Sequence, residues 1–181
     1  MTHHLLRIML ILSATNGNNL ELARAFEAEA TRQGLAAEVM SLPDLQIPLY
    51  NSLDKASGAG DGLSKLAQAL RQHKGLVICA PEYNGSIPPV VSNAIAWLSV
   101  STDDFRALFN SRPVALATHS GGGGQKVLVA MRLQLSHLGC TVLGRELLST
   151  SQKAANPESI TALISQLATL EPSYEGVPAK V

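Results

Sequence analysis

Three short segments of the chain carry residue types that could bind a phosphorylated, planar ligand. The first, residues 13–19, is an unbroken run of small or polar residues between an apolar stretch and a helical pattern. Its hydroxyl and amide groups can donate to a phosphate, and a helix that starts here adds unpaired N–H groups and a favourable dipole. The predicted phosphate-binding residues are Ser13, Thr15, Asn16, Gly17, Asn18 and Asn19. An ordinary polar turn with a helix cap is the alternative.

This first segment matches neither of the common glycine-rich phosphate motifs. It has no Gly-Lys-Ser/Thr ending and no G-x-G-x-x-G spacing. Because it contains no Lys or Arg, it suits a monophosphate held by neutral donors.

The second segment, residues 80–88, breaks an apolar run with a proline, an acid, an aromatic residue and an Asn-Gly pair. Such a turn can present N–H groups and side chains to the edge of a flat heterocycle. The predicted ligand-binding residues here are Pro81, Glu82, Tyr83, Asn84 and Gly85. A rigid turn into the next helix explains the same residues equally well, so this segment alone does not decide between the two.

The third segment, residues 118–124, ends in four consecutive glycines. Ordering four glycines costs backbone entropy, and close approach of the backbone to a ligand is a good reason to accept it. The predicted ligand-binding residues are Ser120, Gly121 and Gly122. A flexible linker is the alternative, but these glycines lie between a predicted strand and a predicted helix. For His119, a packed or solvent-facing position is favoured over an acid–base role.

The elements that must position these segments alternate between apolar runs and helical patterns. Strands are predicted over residues 5–12, 36–42, 75–80, 113–118 and from 141 to 144. Helices are predicted over residues 18–33, 63–73, 88–99, 124–138 and 157–170. This alternation predicts an α/β fold, a doubly wound five-stranded parallel sheet with helices on both faces. Ligands of such sheets bind beyond the carboxyl ends of the strands, where the three segments lie.

Glycine, proline and polar residues mark the limits of these elements. Gly34 is a predicted C-cap, and Asn156 a predicted N-cap before Pro157. Residues 43–62 form a long irregular stretch, and loops of that length are usually functional or mobile. We expect one domain over residues 1–172 and a loose tail over residues 173–181.

Composition excludes several classes of function. The chain has 181 residues, of which 46% are hydrophobic and 15% charged, which is typical of a globular protein. Its 14 basic and 14 acidic residues balance, so neither nucleic acid nor an anionic membrane is an expected partner. Cys79 and Cys140 have no metal-binding spacing, so no metal site or disulfide framework is expected. The first apolar run is too short to span a bilayer and has no signal-peptide pattern, so we expect a cytoplasmic protein.

Residues 81–88, followed by Asn-Ala-Ile-Ala-Trp-Leu-Ser at 93–99, closely resemble the NAD(P)H-dependent FMN reductases, which include chromate, quinone and azo reductases. The glycines at 121–124 with the Met-Arg-Leu at 131–133, and the segments 42–43 and 48–50, are also similar to that family. The resemblance covers roughly residues 5–170. Members often carry an Arg in the first loop. This chain has none, and its loop is instead similar to the phosphate loop of flavodoxins.

The resemblance implies a flavodoxin-like fold with FMN as cofactor and NADPH or NADH as electron donor. Residues 13–19 would hold the FMN phosphate, residues 81–85 would line one edge of the isoalloxazine with an N–H near N5, and residues 120–122 would approach its pyrimidine end. A hydride would pass from the nicotinamide to the flavin, and electrons would then pass to a quinone, azo compound, metal oxyanion or free flavin. Because the flavin carries the chemistry, no catalytic side chain is expected.

Two other functions remain open for such a chain. A flavodoxin-like electron carrier would use no nicotinamide, although its usual strong acidity is missing here. A flavin-free binding module is the second alternative. The family resemblance also implies a homodimer or homotetramer, for which Leu49, Tyr50, Ile95, Trp97 and Leu98 offer apolar surface. Trp97 could equally fill the core.

Overall fold

The first apolar run forms an inner strand of a parallel sheet. The structure is a computed structural model that describes residues 8–53, 58–101 and 104–170. Its strands are β1 (Ile8–Ser13), β2 (Ala36–Ser41), β3 (Gly75–Cys79), β4 (Pro113–Ser120), β5 (Thr141–Val142) and β6 (Leu147–Thr150). Its helices are α1 (Asn18–Arg32), α2 (Gly60–Gln72), α3 (Pro89–Ser101), α4 (Gln125–His137) and α5 (Pro157–Leu170). Short 3-10 turns cover Pro43–Leu45 and Phe105–Leu108.

All strand pairs are parallel, and the sheet has the order β2-β1-β3-β4-β5. The chain therefore winds outward in both directions from β1, and the direction changes between β1 and β3. This order confirms the predicted flavodoxin-like α/β fold. It also places the topological switch point, where such sheets bind ligands, between the ends of β1 and β3.

Helices cover both faces of the sheet. On one face α2, α3 and α4 pack against a core that contains Leu10, Leu76 and Leu116. On the other face α1 and α5 pack against Met9 and Val77. Strands covered on both sides must be apolar throughout, which explains why β3 is buried at every residue. No helix of the described residues is long and apolar enough to cross a membrane.

The predicted ends of the helices agree with the structure within a few residues. The Asn156 side chain accepts a hydrogen bond from the Glu158 N–H at 2.9 Å, which confirms the predicted N-cap. The C-cap of α1 is Gln33, and the predicted Gly34 is the next residue, where its φ of +73° ends the helix. Helix α2 begins at Gly60 and not at residue 63, which shortens the predicted irregular stretch. The predicted strand residues 5–7, residues 54–57 of that stretch and the predicted tail 173–181 lie outside the described residues.

The sequence predicts one strand beginning at residues 141–144, next to β4. The structure has two short strands there, with β5 beside the start of β4 and β6 beside its end. Arg132 lies at this interruption, where its guanidinium donates to the Leu143 carbonyl at 2.6 Å and pairs with Glu146. The sequence analysis missed β6 entirely.

Two side chains of helix α3 bind residues 48–50, which precede α2 in the chain. The Asn93 side chain accepts from the Tyr50 N–H at 2.7 Å, and the Trp97 indole N–H donates to the Pro48 carbonyl at 2.7 Å. The Tyr50 and Trp97 rings meet edge to face, 5.2 Å apart. Trp97 is only 4% exposed, so it fills the core and offers no surface to a partner.

Candidate functional site

The three predicted loops meet at the carboxyl edge of the sheet. Ser13 at the end of β1 is opposite Cys79 at the end of β3, and Cys79 is opposite Ala117 in β4. The backbone pairing continues past the strands, because the Ala14 N–H donates to Cys79 and the Ala80 N–H donates to Ala117. The sheet therefore brings together all the segments that the sequence singled out.

Asn19 fastens the first loop to the end of β4. Its side-chain amide donates to the His119 carbonyl and accepts from the His119 N–H, both at 2.9 Å. Asn19 is 2% exposed, so its amide is buried while the two bonds reach the half-buried His119. Asn19 was predicted to bind the cofactor, and the structure uses its side chain to position the loop.

The side chains of Asn16 and Ser13 also form hydrogen bonds within the protein. The Asn16 amide donates to the Asp44 carboxylate at 2.7 Å and accepts from the Ser41 hydroxyl. The buried Ser13 hydroxyl donates to the Thr15 carbonyl at 2.6 Å. The phosphate donors that remain are the Thr15 hydroxyl, the Asn18 side chain and the main chain.

The start of α1 offers those main-chain donors. Its N-cap residue is Gly17, which has no side chain to cap the first N–H groups. The Leu20 N–H donates to the Gly17 carbonyl at 2.8 Å, whereas the N–H groups of Gly17, Asn18 and Asn19 have no hydrogen bond among the described residues. Unpaired N–H groups at a helix start are suited to an anion, so phosphate binding by these three residues stays a prediction.

The second loop is a tight hairpin. Tyr83 and Ser86 form an antiparallel bridge, with N–H to carbonyl distances of 3.1 and 3.0 Å. Asn84 and Gly85 between them have φ values of +50° and +75°. Positive φ at both central residues defines a type I′ turn, for which Asn-Gly is the preferred pair. The hairpin leaves Tyr83 47% exposed.

Glu82 joins this hairpin to the third loop. Its N–H donates to the Ser120 hydroxyl at 2.9 Å, and its carboxylate accepts from the N–H groups of Gly124 and Lys126 at 3.1 Å each. The carboxylate therefore caps the start of α4, where a negative charge is favourable. A flavin contact of Glu82 stays a prediction, while the side chain already has a positioning role.

Few N–H groups of the hairpin remain for a ligand. Those of Glu82, Tyr83 and Ser86 are bonded within the protein. Those of Asn84 and Gly85 have no hydrogen bond among the described residues. Of the predicted second-loop residues, these two are therefore best placed to donate to the edge of a heterocycle.

Only one of the four consecutive glycines is required by the fold itself. Gly124 has a φ of +90°, and a Cβ there would lie 3.0 Å from the Thr118 methyl group. A Cβ on Gly121, Gly122 or Gly123 would meet nothing within 4 Å. Internal packing does not explain these three, which agrees with a backbone that a ligand approaches closely.

His119 is half-buried beside β6. Its Nδ1 lies 3.2 Å from the Ser149 hydroxyl, which itself donates to the Thr118 carbonyl at 3.0 Å. Because the hydroxyl proton is used there, the Ser149 oxygen is the acceptor in its contact with His119 Nδ1. Sequence reasoning missed Ser149, whose one signal was the short apolar pair at 147–148 before it.

Neither cysteine has the properties of a nucleophile. Burial raises the pKa of the Cys140 thiol to about 12, and complete burial raises the pKa of Cys79 as well. Both thiols therefore stay protonated at neutral pH, whereas a reactive cysteine requires a thiolate.

A cavity of about 550 Å³ lies beside the first loop but contains none of the predicted ligand residues. It is bounded by the Pro43–Leu45 turn and the start of α2, and Asp44, Asp61 and Lys65 contribute charges. The two carboxylates of this cavity disfavour a phosphate, whereas the uncapped start of α1 favours one.

Comparison with protein families decides the relationship. Residues 6–155 match the family described as NADPH-dependent FMN reductase. The chain belongs to this family. The predicted resemblance to this family is thereby confirmed.

Individual relatives match part of the chain. A quinone reductase of Escherichia coli K12 is 37% identical over 112 residues, which are 60% of this chain and 58% of that protein. An NADPH azoreductase of Bacillus sp. OY1-2 is 30% identical over 101 residues, 55% of this chain and 53% of that protein. The chain thus spans less than two thirds of the length of either relative.

Solved structures confirm the fold. FerB, a flavoenzyme NAD(P)H:(acceptor) oxidoreductase from Paracoccus denitrificans, has a TM-score of 0.70 at 18% identity, covering 92% of this chain and 96% of FerB. An archaeal flavodoxin has a TM-score of 0.64 at 10% identity, covering 91% and 99%. At these identities the likeness shows the shared fold.

Valine substitutions at Gly122 and Gly124 distinguish an effect on ligand binding from an effect on the stability of the fold. We expect Gly122→Val to change the free energy of unfolding by no more than about 0.5 kcal/mol, since its Cβ meets open space. It should nevertheless lower the flavin content, because a branched side chain blocks the approach of the ligand. Gly124→Val should lose roughly 2 kcal/mol or more of stability through its positive φ and its clash with Thr118. Urea unfolding and flavin absorbance measure both, and equal destabilisation by the two variants would contradict this reading.

Asn18→Asp tests the phosphate position. The added charge at the start of α1 favours the helix by about 0.3–1 kcal/mol, yet it should weaken FMN binding by roughly 1–3 kcal/mol through repulsion of the phosphate. Asp44→Asn, which removes a charge beside Asn16, should act in the opposite direction. Fluorescence titrations with FMN and with riboflavin give the comparison, since riboflavin lacks the phosphate. Unchanged FMN affinity in Asn18→Asp would mean that the loop is only a helix start.

Proposed function

We propose that this chain is an NAD(P)H-dependent flavin oxidoreductase that binds FMN at the carboxyl edge of its sheet. NADPH or NADH donates the electrons, and a small acceptor receives them, such as a quinone, an azo compound, a metal oxyanion or free flavin. The family match over residues 6–155 carries this proposal. Relatives named quinone reductase and NADPH azoreductase support the range of acceptors.

The donors at the edge fit FMN. A phosphate needs N–H and hydroxyl donors, and the uncapped start of α1 with Thr15 supplies them. The heterocycle needs donors along one edge and a backbone that allows close approach. The N–H groups of Asn84 and Gly85 meet the first need, and the open glycines after Ser120 meet the second.

The protein's part in the reaction is to bind and orient. FMN, when bound, supplies the chemistry by accepting a hydride from a nicotinamide and passing electrons on. The start of α1 would hold the phosphate, and the N–H groups of Asn84 and Gly85 would orient the ring. Main-chain donors of residues 120–122 would stabilise negative charge on the ring, since a fixed donor acts without reorganising. No side chain is required to act as a nucleophile.

A flavodoxin-like electron carrier is the second candidate. The similarity to an archaeal flavodoxin and the flavodoxin-like first loop favour it. The balanced charge and the reductase family favour the enzyme. A flavin-free binding module has less support, because the loops retain donors without internal partners.

We also propose that the protein works in the cytoplasm as a homodimer or homotetramer. Several apolar side chains are exposed, with Leu49 at 83%, Leu53 at 89%, Val129 at 56% and Leu133 at 74%. A second copy covering them would remove that apolar area from water. Both cysteines are free thiols, which agrees with a reducing compartment.

Anaerobic reduction of the FMN-loaded protein tests the proposal. We expect NADPH, NADH or both to bleach the flavin absorbance in stopped-flow measurements. Because the flavin carries the chemistry, His119→Ala should keep turnover within about tenfold, a cost of at most roughly 1.4 kcal/mol. A hundredfold loss with normal flavin content would instead indicate a general acid. FMN-loaded protein that neither nicotinamide reduces would favour the electron carrier.

A further inference from the structure

We propose that Lys126 binds a phosphate group of the nicotinamide dinucleotide donor and thereby helps to select that donor. This inference rests on the proposed function, and it names a residue outside the predicted cofactor-binding set. Lys126 lies in the first turn of α4, directly after the glycine loop.

The Lys126 side chain lies against the hairpin. Its Cδ is 3.4 Å, and its Nζ 3.9 Å, from the position that a Cβ on Gly85 would occupy. Gly85 is one of the two hairpin residues whose N–H groups remain for a ligand. The ammonium of this exposed lysine therefore lies next to the hairpin edge where the ligand is expected.

Neither an ion pair nor the dipole of α4 explains the position of the Lys126 ammonium. Among the described residues the ammonium has no hydrogen bond or salt bridge, so no carboxylate neutralises its charge directly. A cation in the first turn of a helix is also unfavourable, because the dipole is positive there. Glu82 offsets part of this cost, but its carboxylate is bonded to main-chain N–H groups of α4.

The rest of the site lacks a cation that a dinucleotide would need. The predicted cofactor-binding residues include no Lys or Arg. Neutral donors suit the single phosphate of FMN, but the donor also brings a pyrophosphate and, in NADPH, a 2′-phosphate. An ammonium at the margin of the site supplies the complementary charge and acts as a point charge on a flexible stem.

Lys126 could bind either the pyrophosphate or the 2′-phosphate of the nicotinamide dinucleotide, and binding measurements with NADP⁺ and NAD⁺ distinguish the two. Lys126→Gln removes the charge and keeps most of the length, while Lys126→Arg keeps the charge. Lys74→Gln is the matched control, because Lys74 is exposed just before β3, at the opposite edge of the sheet. Dissociation constants of NADP⁺ and NAD⁺ are measured by calorimetry on each FMN-loaded variant.

We expect Lys126→Gln to weaken NADP⁺ about tenfold, while Lys126→Arg and Lys74→Gln stay within about twofold of the wild type. If NAD⁺ is unchanged, the 2′-phosphate is the partner and the enzyme prefers NADPH. If NAD⁺ weakens equally, the partner is the pyrophosphate. Unchanged affinity for both nucleotides in Lys126→Gln, or an equal loss in Lys74→Gln, would overturn the inference. A failure of the proposed function is distinguishable, since the flavin would then not be reduced even in the wild type.

Discussion

The hydrogen bonds between the Asn19 side chain and the His119 main chain fix the geometry on which the site depends. They join segments 100 residues apart, and the Asn19 side of both bonds is buried. Removing one partner would leave a buried polar group unsatisfied, at a cost of about 1–3 kcal/mol. Glu82 adds a second connection, from the hairpin to Ser120 and to the start of α4. Because of these bonds, three loops from three strands form one surface.

In this arrangement side chains position the loops, and main-chain N–H groups remain for the ligand. The side chains of Asn16, Asn19 and Glu82 are used to hold the loops in place. The N–H groups that remain lie at the start of α1 and in the hairpin, where the positions of donors are fixed by the backbone. Fixed donors cost little reorganisation when charge develops on a ligand. The same division leaves the predicted site without a cationic side chain, which is why we propose a role for Lys126 at its margin.

Much of the fold could be predicted because its signals are local. The buried strand β3 and the amphipathic helix α1 follow from the pattern of apolar residues, and the helix end at Gly34 and the cap at Asn156 follow from residue type. The loops were located because the ends of parallel strands meet at one edge. The positioning roles of Asn19 and Glu82 could not be predicted, since their partners are 100 and about 40 residues away. The short strand β6 was missed because its pairing, and not its pattern, defines it.

The central claim is that the three loops form a single flavin site at the carboxyl edge. Amide chemical-shift mapping by NMR during titration with FMN tests it most directly. The account predicts that the main perturbations fall on the amides of residues 15–19, 84–85 and 120–123, which lie in all three loops. Perturbations confined to the walls of the cavity near Asp61 and Lys65, with these loop amides unchanged, would contradict it.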